Sequence, residues 1–470
     1  MSVIKADLCV IGAGSGGLSV AAGAVQMGAS VVLLEGGKMG GDCLNYGCVP
    51  SKALLAAGKH AHAMTTGAPF GITPVTPQVD YAAAKGHVQT VIDRIAPHDS
   101  VERFEGLGVQ VLSEYGRFIS PQEVRAGEHT IRARRFVIAT GSSPFVPPIS
   151  GLDTVRYYTN EDIFELKEQP EHLIIIGGGP IGLEMAQAHG RLGSKVTVLE
   201  GFKALGKDDP ELAAIALERI RAEGVEIIEG AMASEITAEN GVTVKSKDGA
   251  SYSGSHLLMA VGRKANTARL DLEKAGIAYD RPGITVGVNL KTSNRRVYAI
   301  GDVAGGLQFT HMAGYHAGIV IRSALFGLPA KSSDSHIPWA TYTDPEMAQV
   351  GLTEAQAREK HGETVEVLRF DFAENDRARA ELNTTGLIKV MVVKGRPIGA
   401  SIVGAQAGEL IQVWALVIAN KLKIGAVAAM VSPYPTMGEI NKRVAGAYYT
   451  PRLFESDRVK KIVRFVQKLW

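Results

Sequence analysis

The sequence has few cysteines, few aromatic residues and no long apolar segment. Three cysteines among 470 residues exclude the disulfide scaffold of a secreted protein. The 50 basic and 48 acidic residues give a net charge of +2, which does not favour nucleic-acid binding. No run approaches the ~18 apolar residues of a membrane span, and the first residues lack the pattern of a signal peptide. We therefore expect a cytoplasmic protein without a nucleic-acid partner.

Glycine, in contrast, is abundant, with 54 residues in the chain. Glycine supplies the tight turns between strands and helices, so this composition favours an α/β protein. The length corresponds to roughly three domains at about 150 residues each.

One glycine-rich pattern occurs twice in the chain, at a constant separation. Each copy consists of a buried strand, three glycines, a helix, a second strand (Val31–Leu34 in the first copy) and a final glutamate. The same spacing separates the matching residues of the two copies. They are Gly12, Gly14, Gly17 and Glu35 in the first copy and Gly177, Gly179, Gly182 and Glu200 in the second. The repetition argues against two unrelated structural turns, since every element recurs in the same order.

This pattern is typical of the dinucleotide-binding βαβ unit. The first glycine forms the turn, the second lets the backbone approach a pyrophosphate, and the third packs the helix on the strand. The helix amino terminus attracts phosphate, and the glutamate accepts hydrogen bonds from the adenosine ribose. Two such units predict electron transfer between FAD and a pyridine nucleotide.

The rest of the chain predicts two Rossmann-like dinucleotide-binding domains and an α+β dimerisation domain. Pro144, Pro147 and Pro148 mark a linker after the first domain. From about residue 336 the pattern changes to strands and short helices, at Gly386–Val393, Ile398–Val403 and Glu409–Asn420. We expect an FAD domain at 1–150 and 266–335, an NAD domain at 151–265 and a dimerisation domain at 336–470.

Two cysteines directly follow the first unit, at Cys43 and Cys48. Four intervening residues are not a usual zinc spacing. Positions five apart in a regular helix lie roughly 7.5 Å apart along its axis, so a disulfide needs the distortion that Asn45 and Gly47 can supply. The alternative is two packed free cysteines, whereas Cys9 is expected to be core.

These features together resemble the class I pyridine nucleotide–disulfide oxidoreductases, the group of lipoamide dehydrogenase, glutathione reductase and mercuric reductase. The resemblance covers nearly the whole chain. It rests on both glycine motifs, the cysteine segment, Ala139–Gly141, Ala260–Arg263, Ala299–Asp302 and Thr343–Pro345.

The resemblance implies a role for each matching residue. Cys48 would be the sulfur beside the flavin, Cys43 the interchange thiol, and Lys52 would pair with Glu184 near the flavin. The further residues implied for FAD are Gly12, Gly14, Gly17, Glu35, Gly41, Gly116, Ala139, Thr140, Gly141, Asp302 and Ala313. Those implied for NAD are Gly177, Gly179, Gly182, Glu200, Gly262 and Arg263. Because a carboxylate repels a 2′-phosphate, Glu200 favours NADH over NADPH.

The segment 432–439 departs from the disulfide-reducing members of this group. Those enzymes have a His-Pro pair followed by a glutamate, which reaches across the dimer as acid–base catalyst. Here Tyr434 replaces the histidine, while Glu439 remains. Tyrosine titrates near ~10 and histidine near ~6.5, so Tyr434 is poorly suited to proton transfer at neutral pH. The alternatives are that Tyr434 is a buried space-filling residue, or that His311 or His316 donates the proton.

Tyr434 resembles the tyrosine of mercuric reductase, which helps to bind the metal. Those enzymes also carry a second cysteine pair near the carboxyl terminus, and this sequence has none. Pro180 is a further departure, expected in the loop before the second helix. The segment 456–470 alternates apolar and basic residues at helical spacing, and we expect a helix packed on its own domain rather than a membrane-surface helix.

We therefore expect a homodimeric flavoenzyme whose active site is completed across the dimer interface. Electrons would pass from NADH through FAD to a Cys43–Cys48 disulfide and on to a small-molecule or protein disulfide. The alternatives are reduction of metal ions, quinones or dioxygen, and a redox-sensing flavoprotein without catalysis.

Overall fold

The computed structural model describes residues 2–239 and 241–469. The chain divides into two compact units. Unit 1 consists of Met1–Gly201 and Glu226–Ser333, and unit 2 consists of Phe202–Val225 and Asp334–Trp470.

The strands of unit 1 are β1 (Ser2–Ile11), β2 (Val31–Leu34), β3 (Gln110–Leu112), β4 (Gly116–Ser120), β5 (Glu123–Ala126), β6 (His129–Ile138), β7 (Ser142–Pro144), β8 (His172–Ile176), β9 (Lys195–Glu200), β10 (Glu226–Glu229), β11 (Ala233–Thr237), β12 (Val242–Ser246), β13 (Ser251–Gly254), β14 (His256–Met259), β15 (Arg263–Ala265) and β16 (Val297–Ala299). Those of unit 2 are β17 (Pro338–Thr341), β18 (Glu346–Gly351), β19 (Val365–Asp371), β20 (Leu387–Val393) and β21 (Arg396–Gly404).

The helices, in chain order, are α1 (Ser15–Gln26), α2 (Gly41–Asn45), α3 (Cys48–Thr65), α4 (Tyr81–Ile95), α5 (Val101–Gly106), α6 (Pro180–Arg191), α7 (Pro210–Ala222), α8 (Thr310–Phe326), α9 (Glu354–His361), α10 (Asp376–Glu381), α11 (Ala407–Leu410), α12 (Gln412–Ala419), α13 (Gly425–Ala428), α14 (Glu439–Ala447), α15 (Thr450–Phe454) and α16 (Asp457–Val466). Helix α7 belongs to unit 2.

Unit 1 contains two sheets built around the sequence repeat. The first has the order β3-β2-β1-β6-β5-β4, with β16 also paired to β6. The second has the order β10-β9-β8-β14, and all of its pairings are parallel. In each sheet the first strand of the repeat pairs in parallel with the second, β1 with β2 and β8 with β9. The α/β class predicted from the repeat is confirmed.

Buried apolar runs form the centre of these sheets. The last four residues of β1 and all four residues of β2 are buried, as parallel strands covered on both faces require. Phe118 and Phe136 pack edge-to-face in this core, with ring centroids 5.6 Å apart. The expected core position of Cys9 also agrees, because its side chain is fully buried. These rigid strands fix the loops at their carboxyl ends.

Unit 2 is a five-stranded antiparallel sheet covered by helices. Its order is β17-β18-β21-β20-β19, and Trp414 of α12 is the largest fully buried side chain. The mixed strand and helix pattern expected after residue 336 is therefore present.

Three local expectations were wrong. Pro180 is the first residue of α6, a position that suits proline because its missing N–H has no helical acceptor, rather than a loop residue. The helix expected over Glu409–Asn420 is divided at Ile411 into α11 and α12. Helix α16 is not packed on its domain, since none of its residues is buried.

No helix within residues 2–239 and 241–469 combines the length and the apolar character needed to span a bilayer.

Candidate functional site

The two glycine loops have nearly the same backbone conformation. Gly12 and Gly177 have φ values of 104° and 117°, in the left-handed region where glycine is favoured. A Cβ on Gly17 would overlap the carbonyl oxygen of Gly12, and a Cβ on Gly182 would overlap that of Gly177. The third glycine of each motif is therefore needed for close packing of helix on strand.

The helices that follow these loops begin without side-chain caps. Gly14 precedes α1 and Gly179 precedes α6, and neither glycine has a side chain that could cap the first N–H groups of its helix. The space beside Gly179 is open, with no atom within 4 Å of an added Cβ. Uncapped N–H donors at a helix amino terminus suit the pyrophosphate of a dinucleotide, so both loops fit FAD or NAD.

The final glutamate of each repeat is held by the loop of the same repeat. Glu35 Oε2 accepts a hydrogen bond from the backbone N–H of Ala13 at 2.7 Å. Glu200 Oε2 accepts one from Gly178 N–H, also at 2.7 Å. Each carboxylate thus lies at the carboxyl end of its sheet, beside the glycine loop, where an adenosine ribose would be recognised.

The remaining residues expected for FAD lie in unit 1. Thr140 and Asn266 exchange two hydrogen bonds, from Thr140 Oγ1 to Asn266 O at 2.8 Å and from Asn266 Nδ2 to Thr140 O at 3.0 Å. Gly116 is packed against Leu34, and Ala313 of α8 lies against Gly16 of α1. Of the other positions, Gly41 begins α2, and Ala139 and Gly141 follow β6. Gly262, which the resemblance assigned to NAD, precedes β15.

Cys43 and Cys48 are brought together by a break between two helices. Cys43 lies in α2 and Cys48 begins α3. Asn45 Nδ2 donates to the carbonyl oxygens of Met39 and Gly41, at 3.0 and 2.9 Å. The distortion expected of this segment is thus supplied by a side chain that bonds to the backbone.

Both cysteines are free thiols in contact with each other. The Cys43 thiol donates a hydrogen bond to Cys48, which lowers the pKa of Cys48 to about 6 against the opposing effect of burial. Thr310 Oγ1, 3.4 Å from Cys48 Sγ, and the charge of Lys52 lower that pKa further. The same hydrogen bond, together with burial, raises the pKa of Cys43. Cys48 is therefore the thiolate of the pair at neutral pH.

Lys52 and Glu184 form an ion pair between α3 and α6. Lys52 Nζ lies 2.7 Å from Glu184 Oε2, and the Glu184 side chain is only 6% exposed. Because the partner carboxylate is buried, the pair fixes the position of the lysine one helical turn after Cys48.

Several polar residues next to the cysteines were not predicted from the sequence. Asp42 precedes Cys43 and forms an ion pair with Arg263, with 2.9 Å between Oδ1 and Nη2. Asn160 Nδ2 donates to the same Asp42 oxygen at 3.0 Å. Thr310 begins α8. The position of Asp42 directly before Cys43 is the one signal that could have identified it.

Arg263, which the sequence assigned to the NAD unit, contacts residues on the FAD side. Its Nε donates to Ser142 Oγ at 2.7 Å, and Ser142 Oγ donates to Asp302 Oδ2 at 2.6 Å. Burial raises the pKa of Asp302, although the hydrogen bond from Ser142 and the charge of Arg263 oppose this. We therefore group Arg263 with Asp42 and Asp302.

Tyr434 is an exposed residue of unit 2, with 69% of its surface accessible. The alternative of a buried space-filling tyrosine was therefore wrong for the single chain. Its hydroxyl donates to Asp376 Oδ2 at 3.1 Å, and this hydrogen bond raises the pKa of Tyr434. Glu439 begins α14 five residues later. The phenol is thus even less able to exchange a proton at neutral pH than an isolated tyrosine.

The two candidate substitute histidines have different surroundings. His316 is buried, and its Nδ1 accepts a hydrogen bond from Gly301 N–H at 3.2 Å. His311 is exposed and stacks on Phe309, with ring centroids 5.3 Å apart. His316 therefore supports the loop that carries Asp302. Over the part of the chain that the structure describes, no cluster of three or more His, Cys, Asp or Glu could hold a resident metal.

Two family models match the chain. The pyridine nucleotide-disulphide oxidoreductase model matches residues 6–317. The model of the dimerisation domain of the same family matches residues 337–445.

Curated relatives and solved structures agree with these models. Mercuric reductase from Bacillus cereus is 34% identical over 92% of this chain and 70% of its own length. Dihydrolipoyl dehydrogenase from Bacillus subtilis is 30% identical over 92% of this chain and 96% of its own. The HOCl-induced flavoprotein disulfide reductase RclA from Escherichia coli is structurally similar, with a TM-score of 0.84, 30% identity, and coverage of 94% of this chain and 99% of that protein.

RclA has also been solved as a Cu(II) complex, which matches with a TM-score of 0.83 and 31% identity over 93% of this chain and 98% of that one. The resemblance identified from the sequence is thus confirmed. The chain belongs to the pyridine nucleotide–disulphide oxidoreductases, a family of FAD- and NAD(P)H-dependent homodimeric flavoproteins.

Proposed function

We propose that this chain uses NADH to reduce the Cys43–Cys48 pair, and that the resulting dithiol delivers electrons to a thiophilic metal ion. The observation that carries this proposal is the hydrogen-bonded pair of thiols, in which Cys48 has a pKa of about 6. When bound, FAD supplies two-electron transfer from the nicotinamide to the disulfide.

The residues around the pair give the two sulfurs different roles. Cys43 donates its proton to the hydrogen bond that stabilises the Cys48 thiolate, and Thr310 and Lys52 add to this stabilisation. Glu184 holds Lys52 in place. We assign Cys48 to the flavin side and Cys43 to contact with the acceptor, as the family pattern implies.

Glu200 supports NADH as the electron donor. Its carboxylate lies at the end of β9 beside the loop that precedes α6. There a 2′-hydroxyl can donate to it, whereas a 2′-phosphate would be repelled.

The acceptor is suggested by Tyr434. Reduction of an organic disulfide releases a thiolate that needs a proton, and general acid assistance is worth ~10²–10⁴-fold. Tyr434, whose pKa is raised by Asp376, is a weak acid and supplies this proton poorly at neutral pH. A soft metal ion needs no such donor and binds thiolates readily.

The electron balance of this reaction is simple. One NADH reduces one Hg(II) to Hg(0), or two Cu(II) to Cu(I), and releases NAD⁺ and one proton. The chain contains 3 cysteines and no second pair, so the metal ion would reach Cys43 directly. The names mercuric reductase and Cu(II) complex among the relatives support this acceptor class.

The dimer completes the site in this proposal. Tyr434 and Glu439 of one protomer would approach the cysteine pair of the other, as the corresponding residues do in the family. Reduction of a disulfide acceptor is the second candidate, supported by the similarity to dihydrolipoyl dehydrogenase.

The test is an anaerobic acceptor screen with the FAD-loaded protein and NADH. Cu(II), Hg(II), lipoamide and glutathione disulfide are compared in the wild type, Cys43→Ser and Tyr434→His, with Cys9→Ala as the control that keeps the pair. We expect metal-dependent NADH oxidation that Cys43→Ser lowers by at least about 100-fold. Lipoamide turnover should be slow and should rise in Tyr434→His.

Brisk lipoamide reduction by the wild type, with no metal-dependent NADH oxidation, would favour the disulfide acceptor and contradict the metal proposal. No turnover with any acceptor would contradict both and favour a sensing role.

A further inference from the structure

Helix α16 exposes a continuous apolar face. Ile462, Val463 and Phe465 are 53%, 51% and 64% exposed, and Leu469 just after the helix is 67% exposed. No residue of α16 is buried. A helix of ten residues is marginally stable alone in water, so this face needs a surface against which to pack.

Most charges of the tail, residues 456–470, lie opposite its apolar face. At about 100° per residue, the apolar side chains fall within an arc of roughly 160°. Four of the five basic side chains lie outside this arc, and Arg458 lies just inside one edge of it. The basic residues are Arg458, Lys460, Lys461, Arg464 and Lys468. The one acidic residue in 456–470 is Asp457, which lies in the first turn, where it complements the helix dipole.

We propose that α16 binds the surface of an anionic lipid bilayer, lying parallel to the membrane plane. The apolar face would insert into the boundary between headgroups and acyl chains, and the basic residues would contact lipid phosphates. At about 1.5 Å per residue the helix is too short to cross the bilayer.

Charge favours lipid over a second copy of this chain. Residues outside 456–470 comprise 45 basic and 47 acidic residues, so another copy offers little acidic excess to match the tail. The dimerisation-domain match also ends at residue 445, before α15 and α16. The tail therefore lies outside the residues that match the dimerisation domain of the family.

Helix α15, which directly precedes the tail, is attached to the rest of unit 2. Arg452 of α15 forms an ion pair with Glu366, with 2.7 Å between Nη2 and Oε2. Its guanidinium lies 3.6 Å from the centre of the Tyr448 ring. Leu453 and Phe454, which follow, are exposed. This attachment connects α16 to the sheet of unit 2.

The proposal is tested by sedimentation of the FAD-loaded, full-length protein with vesicles. Vesicles of phosphatidylcholine with about one third phosphatidylglycerol are compared with phosphatidylcholine alone. We expect binding only to the anionic vesicles, weakened by salt. Lys460→Gln with Lys461→Gln should lower the partition coefficient by about 25-fold, at about fivefold per charge.

Ile462→Asp with Val466→Asp should abolish binding, because it removes the apolar face. Lys360→Gln, on an exposed helix elsewhere in unit 2, is the control and should bind as the wild type does. NADH oxidation and the oligomeric state in solution are measured for every variant and should be unchanged.

Equal binding to both vesicle types, or none to either, would overturn the proposal. So would dissociation of the dimer by Ile462→Asp with Val466→Asp, since α16 would then be covered by a second copy.

Discussion

The chemistry of a single residue, Cys48, depends on hydrogen bonds from two others. One comes from Cys43, five residues earlier, and the other from Thr310, 262 residues away. The sequence motif identifies the first because it is local. It gives no indication of the second, since only the packing of α8 brings Thr310 to the cysteines.

The low pKa of Cys48 predicts the pH dependence of its alkylation. In the reduced protein, reaction with iodoacetamide should be slow below pH 6 and rise to a plateau above it, because a pKa of about 6 makes the thiolate dominant there. Thr310→Val should move the midpoint to higher pH, and Thr310→Ser should not. Mass spectrometry of the labelled Cys48 peptide measures the rates. An unchanged midpoint in Thr310→Val would contradict the role of Thr310.

Glu200 predicts the choice of nucleotide. The wild type should have a higher kcat/KM with NADH than with NADPH, because the carboxylate repels a 2′-phosphate. Glu200→Arg should narrow or reverse this preference, and Glu200→Gln should narrow it less. Steady-state kinetics with both donors and one acceptor measures the ratio. A wild-type preference for NADPH would show that nearby cations outweigh the carboxylate.

At the scale of elements, the apolar pattern predicted the strands of the repeat, because a parallel strand covered on both faces requires a run of apolar residues. Val31–Leu34 was predicted with the bounds that β2 has. The division between α11 and α12 could not be predicted, since it depends on a distant side chain. Asn441 Nδ2 donates to the carbonyl oxygen of Leu410 at 3.0 Å, and its Oδ1 accepts from Trp414 Nε1 at 2.7 Å. The buried amide of Asn441 thus binds the carbonyl oxygen of the last residue of α11, where the two helices meet.

Unit 2 also depends on a buried lysine. Lys389 of β20 is 4% exposed and lies 3.0, 2.8 and 2.9 Å from carboxylate oxygens of Asp209, Glu211 and Glu354. Burial lowers the pKa of Lys389, but its hydrogen bonds to Glu211, Glu354 and Asp209 outweigh this and raise it. The cluster fixes α7 and α9 on the sheet.

Loss of this lysine should destabilise unit 2. Lys389→Met would leave the Asp209 carboxylate buried without its cation, and we expect the free energy of unfolding to fall by about 3–5 kcal/mol. Lys360→Met, on the exposed face of α9, should change it by less than about 0.5 kcal/mol. Urea unfolding of both variants measures the difference. Equal stabilities of the two variants would contradict this assignment.

At the scale of the whole molecule, the duplicated βαβ unit accounts for most of what the sequence predicted. It specified two nucleotide loops because glycine spacing, strand burial and the final glutamate must all agree for each loop to form. The position of α16 was not predictable in this way. Its amphipathic pattern is compatible with packing on the protein or on a membrane, and only the exposure of the folded helix distinguishes them.

The central claim is that electrons from NADH reach the Cys43–Cys48 pair by way of FAD. The most direct test is an anaerobic titration of the FAD-loaded protein with NADH, followed by absorbance. After two-electron reduction the wild type and Cys9→Ala should show a long-wavelength band from the Cys48 thiolate against oxidised flavin. Cys48→Ser should retain its flavin and lack the band. A band that persists in Cys48→Ser, or a wild type whose flavin is reduced without any band, would contradict the account.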